Sequence, residues 1–244
     1  MEVPRSWVDG YADSLESISG ACKRRLADAL AEVDYTMPVA YVRERLVAIM
    51  QAHVYESRAL AAQAAAEFYD GLRERMVGER MGAVAYDGYD PVPVERRVRS
   101  AVQPLADVDG GTLGEASDAV GRALAAYVGY CVKAAAGGTL FGNGEREPGR
   151  VRFARIPRGS KSYPDGCPFC RMLASRGFVY LSELTAGGVD PNHYHDDCQC
   201  MVVPSWGPGS VEGYNPHDYD EGYREWLKQD HSEHEANVRE RLNR

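Results

Sequence analysis

The sequence predicts an α+β protein: an extended helical N-terminal region, then a small α/β unit, then a C-terminal helix. Three observations carry this. Apolar residues recur at helical spacing through about the first 140 positions, and short apolar or alternating runs take over after Gly138. Four of the six cysteines fall in the last third, as Cys167-Pro-Phe-Cys170 and His195-Asp-Asp-Cys198-Gln-Cys200. Soft nitrogen and sulfur donors in that pattern suit one tetrahedral zinc, so the α/β unit is predicted to be zinc-stabilised.

In chain order, Leu15, Ile18, Cys22, Leu26 and Leu30 mark a first helix over 13–33, punctuated by Pro38. Val42, Leu46, Met50 and Val54 trace a stripe on a second, which runs from Val39 through the alanine-rich 59–66 to about 76–81. Gly88, Asp90-Pro91 and Pro93 make 83–94 a connector. A short helix follows from Glu95 to about Val102, before Pro104. Thr112 with Glu115 forms a capping-box pattern for a helix from Leu113, with Gly137-Gly138 as its stop. Cys22 and Cys131 lie inside these helical patterns as buried thiols, and His53 as a core or groove histidine.

Beyond Gly138, residues 151–157 alternate apolar and basic side chains and read as a half-buried strand. A short helix over 170–176 ends at Gly177, and strands follow at 178–181 and 198–204, the last stopped by Pro204. Residues 207–213 read as a linker, and Tyr219, Tyr223, Trp226 and Leu227 as the stripe of a final amphipathic helix docked on the zinc unit. The expected division is a helical domain at 1–140, a zinc-binding domain at 141–206, and a linker with C-terminal helix at 207–244.

The hydrophobic share of 44% and charged share of 26% describe a globular chain, and the net charge of −8 argues against a general nucleic-acid coat. Arg150, Arg152, Arg155, Arg158 and Lys161 form a local basic stretch that can meet phosphates or line a strand edge. No apolar run approaches a membrane span and Met1–Arg5 does not resemble a signal peptide, so a reducing cytoplasm is the expected setting.

The first choice of zinc ligands is Cys167, Cys170, His195 and Cys198. Cys200 is an alternative fourth donor, because strand alternation puts it on the face of Cys198. His193 is a spare donor. Three thiolates and one imidazole close the site and leave no position for water, which favours a structural ion and no enzymatic activity. A zinc deaminase needs H-x-E ahead of P-C-x-x-C, yet the H-x-E here is His231-Ser-Glu233, after the cysteines. A zincin needs H-E-x-x-H, and His234-Glu235 has no second histidine. The alternative is a metal-dependent nuclease on a zinc-knuckle scaffold, using His193, Asp196 and Asp197.

Gly166-Cys-Pro-Phe-Cys170-Arg-Met-Leu-Ala-Ser-Arg-Gly-Phe-Val-Tyr180, with His195-x-x-Cys198-x-Cys200 leading into Val202-Val203-Pro204, resembles the MuF-like phage minor head proteins of actinobacterial phages and prophages. The likeness covers 151–206, with an echo in 214–226. It implies a minor capsid protein of head morphogenesis that meets the portal or major capsid protein, inside the virion and, during assembly, in the host cytoplasm. The family's cysteine and histidine motif maps onto Cys167, Cys170, His195, Cys198 and Cys200. Relatives often carry proline after the histidine and arginine between the last cysteines, where this chain has Asp196 and Gln199. That departure weakens the case for viral DNA contact there, leaving it to Arg150, Arg152, Arg155, Arg158 and Lys161.

Overall fold

A computed structural model describes residues 2–107, 112–158, 166, 168–181 and 200–228. Helix α1 spans Arg5–Ala31 and α2 spans Val39–Val77. The α1 stripe begins with Val8, Tyr11 and Ala12, well before Asp13, because the intervening Asp9 and Gly10 sit on the outer side of a continuous buried face. Tyr11 stacks on Phe68 of α2 with ring centroids 4.2 Å apart.

Helix α3 spans Pro91–Ala101 and α4 spans Gln103–Ala106. Both begin with the prolines expected to exclude helix. Pro91 occupies the first turn of α3, where its missing N–H costs no bond, and Asp90 caps the end by accepting from Val92 N–H at 2.9 Å. Helix α5 spans Leu113–Glu145 and opens with the expected Thr112–Glu115 capping box.

Gly137-Gly138 does not stop α5, so position 140 falls inside the helix. The glycines near its end admit neighbours instead. A Cβ on Gly144 would lie 2.5 Å from the Phe153 ring, and one on Gly142 2.9 Å from the Tyr86 ring. Of the helices described, α5 is the one long and apolar enough to cross a membrane by length and composition. It packs against α1, α2, α3, α4 and the sheet as the core helix of the bundle.

Strand β1 (Arg152–Ile156) pairs antiparallel with β2 (Met201–Ser205), with Phe153 opposite Pro204 and Arg155 opposite Val202. On the other edge of β1, Phe153 N–H donates to Tyr180 O at 2.8 Å and Tyr180 N–H to Phe153 O at 3.2 Å. The expected strand at 178–181 is thus one bridge at Tyr180. Because Phe153 spends both backbone groups on Tyr180, Pro204 stands opposite it at a non-hydrogen-bonded position. The proline needs no N–H there, and β2 runs through it to Ser205.

Helices α6 (Pro168–Ala174) and α7 (Pro216–Leu227) pack on one another. Residues 207–213, expected to be a linker, are tied to the N-terminus. Val3 N–H donates to Ser210 O and Glu212 N–H to Val3 O, both at 2.9 Å. One core joins α1, α2 and α5 to β1, α6, β2 and Tyr214, and so runs across position 140. A second core lies among Cys22–Val33, Val42–Val54, α3 and Ala116–Cys131.

The connector after α2 is an extended strap whose backbone is read by side chains of α2 and α5. Arg73 donates to Glu79 O at 2.7 Å, and Asp70 accepts from Met81 and Ala83 N–H at 3.1 and 3.0 Å. Asn143 bonds both Val84 N–H and O at 2.8 Å, and Thr139 both Tyr86 N–H and O at 3.0 Å. Arg58 ends the series on Asp87 O at 2.6 Å and Gly88 O at 3.1 Å. Asn143→Ala should therefore destabilise the protein by about 2 kcal/mol, since two backbone groups lose their partner together. Urea unfolding followed by circular dichroism measures it; a loss within 0.5 kcal/mol of zero is the contrary result.

Candidate metal centre

Two of the five candidate ligands, Cys170 and Cys200, lie within the described residues, while Cys167, His195 and Cys198 lie outside them, as do His193, Asp196 and Asp197. Cys170 comes from the first half of α6 and Cys200 from the residue before β2. Their sulfurs are 3.0 Å apart and each residue is 2% exposed. No disulfide joins them.

Local folding explains the convergence. Gly166 turns the chain toward α6 with φ +86, and a Cβ there would lie 2.9 Å from Pro157 Cβ, so glycine alone fits the turn and the approach. The last carbonyls of α6 are then held by two tyrosines. Tyr180 hydroxyl donates to Leu173 O at 2.8 Å, and Tyr214 hydroxyl donates to Ala174 O. Burial pushes both phenols above their ordinary range, so they remain donors. Fixed at its far end, α6 presents Cys170 to the start of β2.

Arg155 completes the arrangement. The alternation of 151–157 led to an expected half-buried strand with its cations in solvent. Arg152 is exposed, but Arg155 is 2% exposed. Its partner across the sheet is Val202, two residues after Cys200, so strand alternation sets Arg155 and Cys200 on one face. Arg155 Nη2 donates to Cys200 Sγ at 2.8 Å. A buried guanidinium calls for polar partners, and the Cys200 sulfur is one of them.

The donor set fits a soft ion. Thiolates on a tetrahedral zinc at ~2.3 Å stand roughly 3.8 Å apart, about 1 Å beyond the present separation. Behind Cys200, the space lined by Tyr11, Leu15, Lys133, Leu140 and Met201 holds about 10 Å³, at the limit for one water. Among the described residues no group of three or more His, Cys, Asp or Glu side chains is placed to hold a metal ion.

The basic stretch is largely committed within the fold. Arg158 lies 3.6 Å from Asp9, 3.1 Å from Asp13 and 3.5 Å from Glu16 on α1. With Arg155 buried, the exposed cations of this stretch among the described residues are Arg150 and Arg152. Lys161 lies outside them.

The other two described cysteines have the surroundings of packed thiols. Cys22 Sγ–H donates to His53 O at 3.4 Å. Burial raises the Cys22 thiol, and desolvation followed by the Arg25 charge lowers the His53 imidazole. Both shifts favour neutral groups, the reverse of an activated thiolate–imidazolium pair. Burial pushes the Cys131 thiol up to about 11.

Sequence reasoning missed a buried carboxylate hub beside this unit. Glu147 accepts from Arg73 Nε at 2.8 Å, Trp206 Nε1 at 2.8 Å and Tyr69 hydroxyl at 3.2 Å. It ties the end of α5 to α2 and to the residue after β2. Its partners are 78, 74 and 59 positions away, and no local pattern announces such a junction.

No curated protein and no solved structure matches the chain. The VG15 protein family matches residues 2–226, helical body and cysteine unit together. The chain therefore belongs to the VG15 protein family, a phage-associated family.

Proposed function

We propose that the protein is a MuF-like minor capsid protein of a phage or prophage, acting in head morphogenesis at the portal and capsid interior, with a structural zinc. The observation that carries this reading is the phage-associated family match over residues 2–226. The cysteine motif supports the MuF-like type. Convergence of Cys170 and Cys200 at 3.0 Å between α6 and β2 supports an ion that closes the fold.

In this reading the zinc is held by Cys167, Cys170 and His195, with Cys200 as the fourth donor. The short Cys170–Cys200 separation and the Arg155 bond favour Cys200 over Cys198. The ion supplies cross-linking and no chemistry. The partner is a protein, portal or major capsid, since Arg155 and Arg158 are spent inside the fold and, among the described residues of the basic stretch, Arg150 and Arg152 are left for DNA. Long helices supply the docking surface, and Tyr41 and Tyr55 on α2 are each 56% exposed.

Three measurements test this. Elemental analysis of the purified chain should give about one zinc per molecule. Cys170→Ser should lose the metal and the fold of the α6–β2 unit together. Co-expression with the portal protein of the same phage genome should give a complex that survives gel filtration. A zinc-free chain whose fold is indifferent to Cys170→Ser would remove the structural ion, and failure to associate with both portal and major capsid protein would remove the assembly role.

A further inference from the structure

We infer that residues 81–87 of the strap form a hinged latch over the groove between α2 and α5, one that opens and closes as a single unit while the helices stay folded. Alternate residues of the strap meet α5. Arg146 donates to Gly82 O at 3.4 Å, Asn143 bonds both backbone groups of Val84, and Thr139 both of Tyr86. Met81 and Ala83 give their N–H groups to Asp70 of α2 instead. The two elements keep register, because two residues of extended chain advance about 6.6 Å and four residues of helix, Thr139 to Asn143, about 6 Å. One carboxylate, one amide and one hydroxyl thus stand in for a neighbouring strand.

This arrangement makes release cooperative. Successive anchors fall one or two residues apart, and two residues of chain span at most about 7 Å, so there is no slack between them. Val84 cannot leave Asn143 without drawing Ala83 off Asp70 and Tyr86 off Thr139. Both ends can turn. Gly78 at the end of α2 has φ +99 and Gly88 has φ +53, values that glycine adopts and leaves without a Cβ penalty. Past Gly88 the chain is fixed again: Tyr89 packs edge-on against Tyr55 with ring centroids 5.5 Å apart, and Asp90 caps α3.

Little apolar burial holds the latch down. Val84 and Tyr86 are 42% and 39% exposed, and Met81 and Ala83 are only partly buried. Surface backbone bonds with few apolar contacts mark segments that open ahead of global unfolding. The helices beneath do not depend on the strap for their cores, since Leu72 and Leu140 are buried among α1, α2, α5 and the sheet. Opening therefore uncovers a polar groove: Asp70, Thr139 and Asn143, buried under the closed strap, become accessible to water, which then satisfies them.

Amide hydrogen exchange of the full chain, resolved by residue with nuclear magnetic resonance, tests the latch. Met81, Ala83, Val84 and Tyr86 should share one protection factor, about 100-fold below those of Val128 and Val132 in α5. Their exchange should also depend less steeply on urea, because opening exposes little surface. Asn143 touches Val84 alone among the four, yet Asn143→Ala should speed all of them together by about 30-fold. Thr139→Ala, which loses Tyr86 alone, should give the same joint acceleration. Faster exchange confined to the residue that lost its partner would mean that the strap frays bond by bond. Wild-type protection equal to that of α5 would mean that it opens only when the protein unfolds. Either result, or no acceleration in both variants, overturns the inference.

Discussion

Glu147→Ala is expected to lower the unfolding free energy by about 3–5 kcal/mol, the scale for stranding one member of a buried ion pair. The Arg73 and Glu147 side chains are 8% and 3% exposed, so solvent screens the pair little. Glu147 takes three donors on one oxygen and Arg73 Nη2 at 3.4 Å on the other. Alanine would leave an indole N–H and a phenol without their acceptor and the buried guanidinium with only Glu79, whose exposed carboxylate lies 3.6 Å away. Glu147→Gln keeps the shape, but its amide turns an N–H toward Arg73, so it should cost most of the same amount. The double variant Arg73→Met/Glu147→Met should recover much of the loss, because removing both charges removes the desolvation cost with them. Guanidinium unfolding followed by tryptophan fluorescence reads the effect. A Glu147→Ala loss below 1 kcal/mol would show that the hub does not hold the sheet to the helices.

How much of this could be read from the sequence depended on whether the signal was local. The α2 stripe, the Thr112–Glu115 capping box and the strands expected at 151–157 and 198–204 each rest on residues a few positions apart, and each led to the right element type, whereas the strand expected at 178–181 is a single bridge at Tyr180. Boundaries were misread where a tertiary neighbour overrode a local breaker. Helix α5 runs through Gly137-Gly138, and beyond them Gly142 and Gly144 leave the Tyr86 and Phe153 rings the space a Cβ would take. Pro204 stays in β2 because its partner Phe153 bonds Tyr180 instead. The strap read as a plain connector because its order comes from Asp70, Thr139 and Asn143, polar residues whose burial no periodicity reveals. Arg155 read as a solvent-facing cation for the same reason: alternation tells which face a residue occupies, not whether something covers that face. For the candidate metal centre, spacing identified the cysteines, but pairing Cys170 with Cys200 needed the register of β1 against β2.

Arg155→Met is expected to weaken binding of the proposed zinc by about 10–100-fold, the range found when a group that supports a metal ligand is removed. In the proposed zinc site three thiolates, a neutral imidazole and a divalent cation sum to one negative charge, and Cys170 and Cys200 are nearly inaccessible to water. A buried net charge is costly unless a countercharge is buried with it, and Arg155, bonded to Cys200 Sγ at 2.8 Å, supplies it. Methionine fills a similar space and leaves that charge uncompensated. The metal-free chain should suffer less, because the cysteines can then be neutral thiols and the cost of burying the guanidinium disappears. Arg155→Lys, with charge but no planar fork, should fall between the two. Competition against a chromogenic chelator gives the affinities, and thermal unfolding with and without zinc separates metal binding from packing. Equal zinc affinity in wild type and Arg155→Met would mean that the buried arginine balances some other group, and Cys200 would lose its main support as the fourth ligand.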